Sequence, residues 1–417
     1  MRFHLAPRTT LVLFILLRQV IAESYFALNS AYGLLQNTVA AETLDLPVGT
    51  CNANTPCVNG ACCSGNGSGL CGYSPSECGA ANCTSNCDAK AECGQYGKPG
   101  KQICPLGVCC SEFGFCGSTS DFCDAECQQG FGGCGDVKRP SCSKDGGSIN
   151  KRTIGYYESW ANTRACSAVS PEDLNLDGLT HINFAFVFFD PSSFQIIPMD
   201  KNAGTLLNRF TKLKEKKAGL QTWVSVGGWS FNDPGPYQKA FSTMASSAGN
   251  RKMFIDGLIK FMELHDALDL ETRNLLNAEP DDRGGTADDT ANFVLLCKEI
   301  KAAFGNRFGY SITLPASYWY LQNFDLAGMQ PYVDWFNIMS YDIHGVWDAA
   351  SKHVGPIVAP HTNITEIDLG LDLLWRAGLQ PEKVVLGQGC KRAARDVFCS
   401  LVSWVQRLTL NRLWPFV

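Results

Sequence analysis

Beyond residue 150 the chain is organised by apolar runs. "TIGYYESW" (153–160), "THINFAFVFF" (180–189), "LQTWVSVGGWSF" (220–231), "FGYSITLPA" (308–316), "VDWFNIMSYD" (333–342) and "KVVLGQG" (383–389) read as strands buried on both faces. "GNRKMFIDGLIKFMELH" (249–265) and "DDTANFVLLCKEIKAAF" (288–304) instead space their apolar residues by three and four, as helices with one buried stripe do. Buried strands alternating with helices predict a parallel sheet, and a region spanning 152–417 has the length of a (β/α)8 TIM-type barrel. In such barrels chemistry collects at the C-terminal ends of the strands, so the ends of these runs hold the candidate residues.

The N-terminal part has a different texture. "MRFHLAPRTT" carries Arg2 and Arg8, "LVLFILL" is apolar, and "VIA" ends in small-residue spacing at Ala22. This predicts a cleaved secretion signal over 1–22, followed by a linker over 23–50. A membrane anchor is the competing reading, but the run is short and Arg18 interrupts its far end. No membrane association is expected once the signal is removed. The whole chain of 417 residues is 45% hydrophobic and 18% charged with net charge −5, which offers no electrostatic reason for a nucleic-acid partner. Nothing in it speaks to oligomeric state. Of its 21 cysteines, all but Cys166, Cys297, Cys390 and Cys399 lie between Cys51 and Cys142, a density that means a disulfide framework and an oxidising compartment. Sequons at Asn66, Asn82 and Asn363 are compatible with glycosylation.

The cysteine spacing repeats. Cys93, Cys104, Cys109, Cys110, Cys116, Cys123, Cys127 and Cys134 are preceded by Cys51, Cys57, Cys62, Cys63, Cys71, Cys78, Cys83 and Cys87, with a vicinal pair at the same place in both sets. Segments this short bury little apolar surface and depend on bridges. Zinc is the alternative use of clustered thiols. The lack of accompanying histidines and the export signal weigh against it, so no metal and no cofactor are expected.

"CSEFGFCGSTSDFC" (110–123) resembles the core of a hevein-type chitin-binding module. The resemblance implies that Ser111, Phe113, Phe115 and Phe122 hold N-acetylglucosamine units. Aromatic faces stack on the apolar face of a pyranose, and a hydroxyl can bond the acetamide. The alternative is that the phenylalanines form a small core. The resemblance further implies bridges Cys93–Cys110, Cys104–Cys116, Cys109–Cys123 and Cys127–Cys134 in a module spanning 93–134. In the first copy, 51–88, it implies Cys51–Cys63, Cys57–Cys71, Cys62–Cys78 and Cys83–Cys87. That copy is degenerate: "SGNGSGL" is two residues longer and keeps no aromatic except Tyr73 just beyond it. A linker over 135–151 joins the second module to the barrel.

The barrel region, over roughly 150–389, resembles the family 18 glycoside hydrolases, the chitinases. "SVGG" (225–228) with Trp229 matches its S-x-G-G strand, "MSYDIHGVW" (339–347) its M-x-Y-D strand and the following aromatic, and "GYYESW" and "THINFAF" its first two strands. Chitin or chito-oligosaccharide is the implied partner. The implied reaction is substrate-assisted, retaining hydrolysis of β-1,4-linked N-acetylglucosamine, in which the substrate's acetamide attacks and the protein supplies one general acid. Tyr341 and Asp342 would contact acetamide or sugar. Tyr156, Phe184, Trp229, Met339 and Trp347 would line the cleft. For Tyr341 and Asp342 the plain alternative is capping of a strand end.

The general acid belongs to a D-x-x-D-x-D-x-E fourth strand between His265 and "PDDRGG" (280–285). The gap-free register places Leu268, Glu271, Arg273 and Leu275 on its acidic positions, so the proton donor is missing. A slid register makes Glu271 the acid but starts the strand early and costs the preceding helix about a turn. Another slid register puts Arg273 at the donor position. "DALDLETRNLLNAE" has one β-branched residue, Thr272, and is otherwise rich in helix formers. Its composition therefore predicts a helix-like stretch with solvated acids and a disrupted fourth strand. After "VVLG" the family's pattern stops, leaving the eighth strand absent. Two abrupt departures beside good family sequence suggest an error of reading frame or splicing over 266–277 and 390–417.

Overall fold

The computed structural model describes residues 49–52, 54–65, 69–124, 126–141, 152–265, 285–350 and 354–389, together with the backbone of 269–273. The expected signal (1–22), nearly all of the linker 23–50, the sequon at Asn66, Leu268, Leu275 and the tail from Cys390 lie outside these residues. The chain divides into two compact units, Met1–Lys90 and Ala91–Val417. No helix among the described residues is long and apolar enough to cross a membrane.

In the first unit, strand β1 (Cys62–Ser64) pairs antiparallel with β2 (Cys71–Gly72) and β3 (Cys83–Ser85). Bridges Cys51–Cys63, Cys57–Cys71, Cys62–Cys78 and Cys83–Cys87 tie it together. Among its described residues the buried cluster is Cys51, Cys57, Ala61 and Cys63, with Cys71 and Tyr73 packed on it. Sulfur takes the place of an apolar interior here, as expected for a segment too short to make one.

The second unit opens with β4 (Cys109–Cys110) and β5 (Cys116–Gly117), antiparallel. Bridges Cys93–Cys110, Cys104–Cys116, Cys109–Cys123 and Cys127–Cys134 repeat the connectivity of the first unit. The barrel strands follow: β6 (Ile154–Glu158), β7 (His181–Phe189), β8 (Ile196–Pro198), β9 (Gln221–Gly227), β10 (Asp269–Arg273), β11 (Tyr310–Pro315), β12 (Trp335–Met339) and β13 (Val384–Gly387). Seven of them run parallel in the order β13-β12-β11-β10-β9-β7-β6, and β8 folds back antiparallel on β7. Among the described residues no ladder joins β6 to β13. The main helices are α1 (Lys201–Thr211), α2 (Ala248–Leu264), α3 (Asp289–Phe304) and α4 (Ile364–Arg376). Asp200, Ser247 and Asn363 cap α1, α2 and α4 with side-chain oxygens.

Strand alternation divides the apolar residues. Ile182, Phe184, Val224, Val226, Ile312, Leu314, Phe336 and Ile338 belong to the large cluster that includes Phe254, Leu258, Phe293 and Leu296 of the helices. The other parity faces the barrel interior, where Ile154, Trp223, Trp335 and Val385 form a separate floor cluster. The rings of Trp223 and Trp335 are 4.5 Å apart.

The helical reading of 266–277 is corrected over 269–273. That backbone is a strand, paired parallel with β9 through Glu271↔Ser225 and with β11 through Glu271↔Ser311. The fourth strand is therefore present. Helix propensity is worth tenths of a kcal/mol per residue, and a backbone flanked by two strands satisfies its donors and acceptors by pairing with them.

His181 closes the floor. Its ring meets Trp335 edge-on at 5.2 Å, and its Nδ1 lies 2.6 Å from the Thr180 hydroxyl. Burial, with help from the nearby Arg152 charge, pushes its pKa down to about 4. Between pH 6.5 and 4 the unfolded chain binds more protons than the folded one, so stability falls as pH falls across this window. The denaturation midpoint is expected to drop from pH 6.5 to pH 4 by an amount worth at most about 3 kcal/mol. His181→Gln should flatten that slope, and chemical denaturation at a series of pH values measures it.

Candidate functional site

The barrel mouth is shaped by glycines where strands end. Gly227 and Gly228 at the end of β9 have φ of +100° and +94°, which only glycine adopts easily. A Cβ on Gly228 would stand 2.9 Å from the Phe186 ring. The S-x-G-G sequence thus turns the chain sharply beneath Phe186 and delivers Trp229 to the rim, where it is 49% exposed. Phe186 packs in turn against Trp160 at 6.3 Å.

On the opposite side β12 delivers Met339 and Tyr341. Tyr341 packs close to Gly389, where a Cβ would meet its ring at 3.1 Å, while a Cβ on Gly387 would meet Ile338 O at 2.7 Å and the Tyr341 ring at 3.6 Å. Asp342 follows with φ +55°, a left-handed conformation that aspartate tolerates better than most residues and that turns the chain out of the strand. Its backbone N–H points to His361 Nδ1 at 3.5 Å, and its carboxylate lies 3.9 Å from the same atom. The Ser340 hydroxyl donates to Gly387 O, and Thr362 Oγ1 donates to Ser340 O at 2.7 Å. A cavity of about 50 Å³ lies beneath, lined by Tyr156, Thr313, Asn337, Met339, Tyr341 and Gln388 among others. Apolar Ile154, Ile338 and Val385 line it beside polar Thr313, Asn337 and Gln388, and its volume suits a small group or water.

Of the expected site residues, Tyr156, Met339 and Tyr341 line the cavity, while Trp229 and Asp342 follow the ends of β9 and β12 and Trp347 lies in the loop beyond. Phe184 instead is fully buried on the helix side, 5.3 Å from Phe210 of α1 and 6.2 Å from Tyr157. Alternation along β7 is the reason: His181 and Asn183 face inward, so Phe184 faces out. Asn183, Thr313, Asn337 and Phe186 are interior or mouth residues that motif reading missed. Parity with Tyr156, in register with Asn183, would have found the first of them.

Trp347, 54% exposed, folds over Gly345 and is held by a loop anchored on His344. His344 Nδ1 is 2.9 Å from Asp348, and its Nε2 is 3.0 Å from Glu366 in the first turn of α4. The hydrogen bond that the ring donates to Asp348, then the Glu366 charge, hold the imidazole above its ordinary pKa.

In the 93–134 module the Ser111 hydroxyl is buried and accepts from Phe115 N–H at 3.2 Å, closing the loop that carries Phe113. Phe113 is 66% exposed. Phe115 and Phe122 are half-buried. Phe122 lies over Gly117 and against Cys109, Cys123 and Cys127. In the first unit the matching position after Cys71 is Glu77, which lies over Gly72 in the same way.

Comparison with known proteins follows this geometry. The family described as Glycosyl hydrolases family 18 matches residues 152–390, more than half of the chain. The chain belongs to that family. A second family, Chitin recognition protein, matches residues 92–134. Among relatives, the family 18 chain is 30% identical over 302 residues to "Secreted chitinase LysM12" of Penicillium expansum, covering 68% of this chain and 20% of that protein. It is 31% identical over 309 residues to "Killer toxin subunits alpha/beta" of Kluyveromyces lactis, covering 71% and 26%. It thus spans about a fifth to a quarter of these two relatives. Among solved structures it resembles the Ostrinia furnacalis Group IV chitinase, with a TM-score of 0.50 and 25% identity, covering 57% of this chain and 66% of that one.

A protonated His344 ties the Trp347 loop to α4. A histidine with a raised pKa adds stability that is fully present below the unfolded value near 6.5 and is lost as pH rises through the folded value. The emission difference between the native chain and Trp347→Phe should therefore change as pH rises above 6.5. His344→Gln should remove that change.

Proposed function

We propose that this chain is a secreted chitin-binding protein of the chitinase family, which grips β-1,4-linked N-acetylglucosamine polymer and, as its sequence stands, does not cleave it. Export rests on the sequence of residues 1–22, the eight bridges and the similarity to a secreted chitinase of Penicillium expansum. Phe113 and Phe115 stack on sugar faces, Phe122 backs the binding loop, and Ser111 sets its shape. At the barrel mouth Tyr341 and Asp342 contact acetamide and sugar, with Tyr156, Met339, Trp229 and Trp347 around them. The first module is a degenerate hevein-like copy that spaces rather than grips, since Glu77 stands where the second module has Phe122.

The observation that carries the catalytic part is the ladder of β10. Glu271 stands opposite Ser225 and Ser311, and Ser311 stands opposite Trp335 of the floor. Trp335 opens β12, and Tyr341 lies six residues on, two beyond the strand's end at Met339. Helix α2 keeps its 17 residues through Leu264, and the strand starts only at Asp269. Both facts favour the gap-free register over the one that makes Glu271 the acid. The donor position is then Leu275, a hydrocarbon with no proton to give.

A second reading is supported by one fact: 269–273 pairs as a strand although its composition suits a helix. The gene would then encode an active chitinase, and the written sequence would carry an error over 266–277 and 390–417. Sequencing the transcript through both stretches decides this, and a message continuous in the present frame removes the second reading.

Protein verified by mass should be retained on chitin beads and release no soluble product from chito-oligosaccharides. Measurable bond cleavage by that preparation overturns the non-catalytic reading. Phe113→Ala and Phe115→Ala should each weaken retention by roughly fivefold to tenfold. Unchanged retention removes the residue from the site.

A further inference from the structure

The 93–134 module does not end where its bridges end. Val108 and the cysteines of Cys93–Cys110 and Cys104–Cys116 belong to the same apolar cluster as the barrel core, and Leu106, Phe131 and Trp375 of α4 pack against it. Backbones approach closely at this seam. Gly107 has φ +67°, and a Cβ there would stand 3.0 Å from Arg376 O.

Two arginines cross the seam in opposite directions. Arg376, in the last turn of α4, donates from Nη1 to Gly133 O and from Nη2 to Gly135 O, both at 2.8 Å. Arg139, in the stretch after the module, makes a two-pronged contact with Asp372, from Nε to Oδ1 at 2.8 Å and from Nη2 to Oδ2 at 2.7 Å. Its Nη1 reaches Asp368 at 2.9 Å. Asp368 and Asp372 are one turn apart on α4, a spacing at which like charges repel unless a cation sits between them. Such planar, bidentate pairs fix geometry as well as adding attraction.

We propose that Arg139 and Arg376 form a clamp that locks the chitin recognition module onto helix α4, so that module and barrel act as one body rather than as domains on a free tether. The clamp grips the module through residues 105–108 and 131–135 and leaves Phe113 exposed. Its consequence for chitin rests on the function proposed above: a polymer held at Phe113 stands in a set position relative to the barrel mouth. The clamp itself is independent of what the module holds.

The test uses the full chain with a specific protease site inserted within 142–150. After cutting, the two fragments of the otherwise native chain should co-elute on gel filtration. In Arg139→Ala/Arg376→Ala they should separate, with association weakened by roughly tenfold or more. Arg139→Asp should also release them, and adding Asp372→Arg should restore co-elution, which a general loss of fold would not do. Separation of the fragments without any arginine substitution overturns the clamp. So does undiminished association of the double-alanine fragments, or failure of the reversed pair to recover. The readout is association and not sugar binding, so failure here leaves the chitin reading standing, and loss of bead retention leaves the clamp standing.

Discussion

Parallel pairing on both sides of Asp269–Arg273 is the constraint on which the barrel depends. This strand joins β6, β7 and β9 to β11, β12 and β13. Without it the sheet would be two fragments with new open edges, and its neighbours would lose the partners of their inward-facing amides and carbonyls. The segment has little intrinsic preference for the role. Asp, Leu, Glu, Thr and Arg do not make a favoured buried strand. It pairs because the flanking strands leave unsatisfied backbone groups at the right spacing, and a helix there would satisfy none of them.

The mouth is built by a second constraint, the absence of side chains at chosen points. Gly228 makes room for Phe186 and Gly389 for Tyr341, while Gly387 makes room for the carbonyl of Ile338. At Gly228 and Gly389 an aromatic ring lies directly on backbone, where a side chain would displace it. Asp342 turns the chain out of β12, so the loop through His344 and Trp347 closes back on the N-terminus of α4. Recognition surfaces placed on strand ends in this way are held by the sheet rather than by the loops that carry them.

The small modules and the barrel solve the same problem at different sizes. The first unit has so little interior that its bridges must restrict the unfolded chain. The second module has the same connectivity but shares apolar contacts with a much larger core, and the cysteines of two of its four bridges are part of that core. Docking against α4 gives a short segment the buried surface it could not make alone.

The sequence by itself determined the alternation of buried strands and helices, the two cysteine frameworks as disulfide modules, and the motifs that end in Trp229 and Tyr341–Asp342. These are local signals: periodicity, cysteine density and glycine-flanked strand ends all lie within a few residues. Their pairing in the cysteine modules came from resemblance, because eight cysteines allow many connectivities. Only the tertiary structure decided that 269–273 is a strand and that Phe184 faces the helices instead of the cleft. It also decided that the second module is fastened to α4 by Arg139 and Arg376. Each of those depends on partners about twenty-five to more than two hundred residues away. No local preference records such neighbours, so the balance of pairing and burial could be read only from the folded chain.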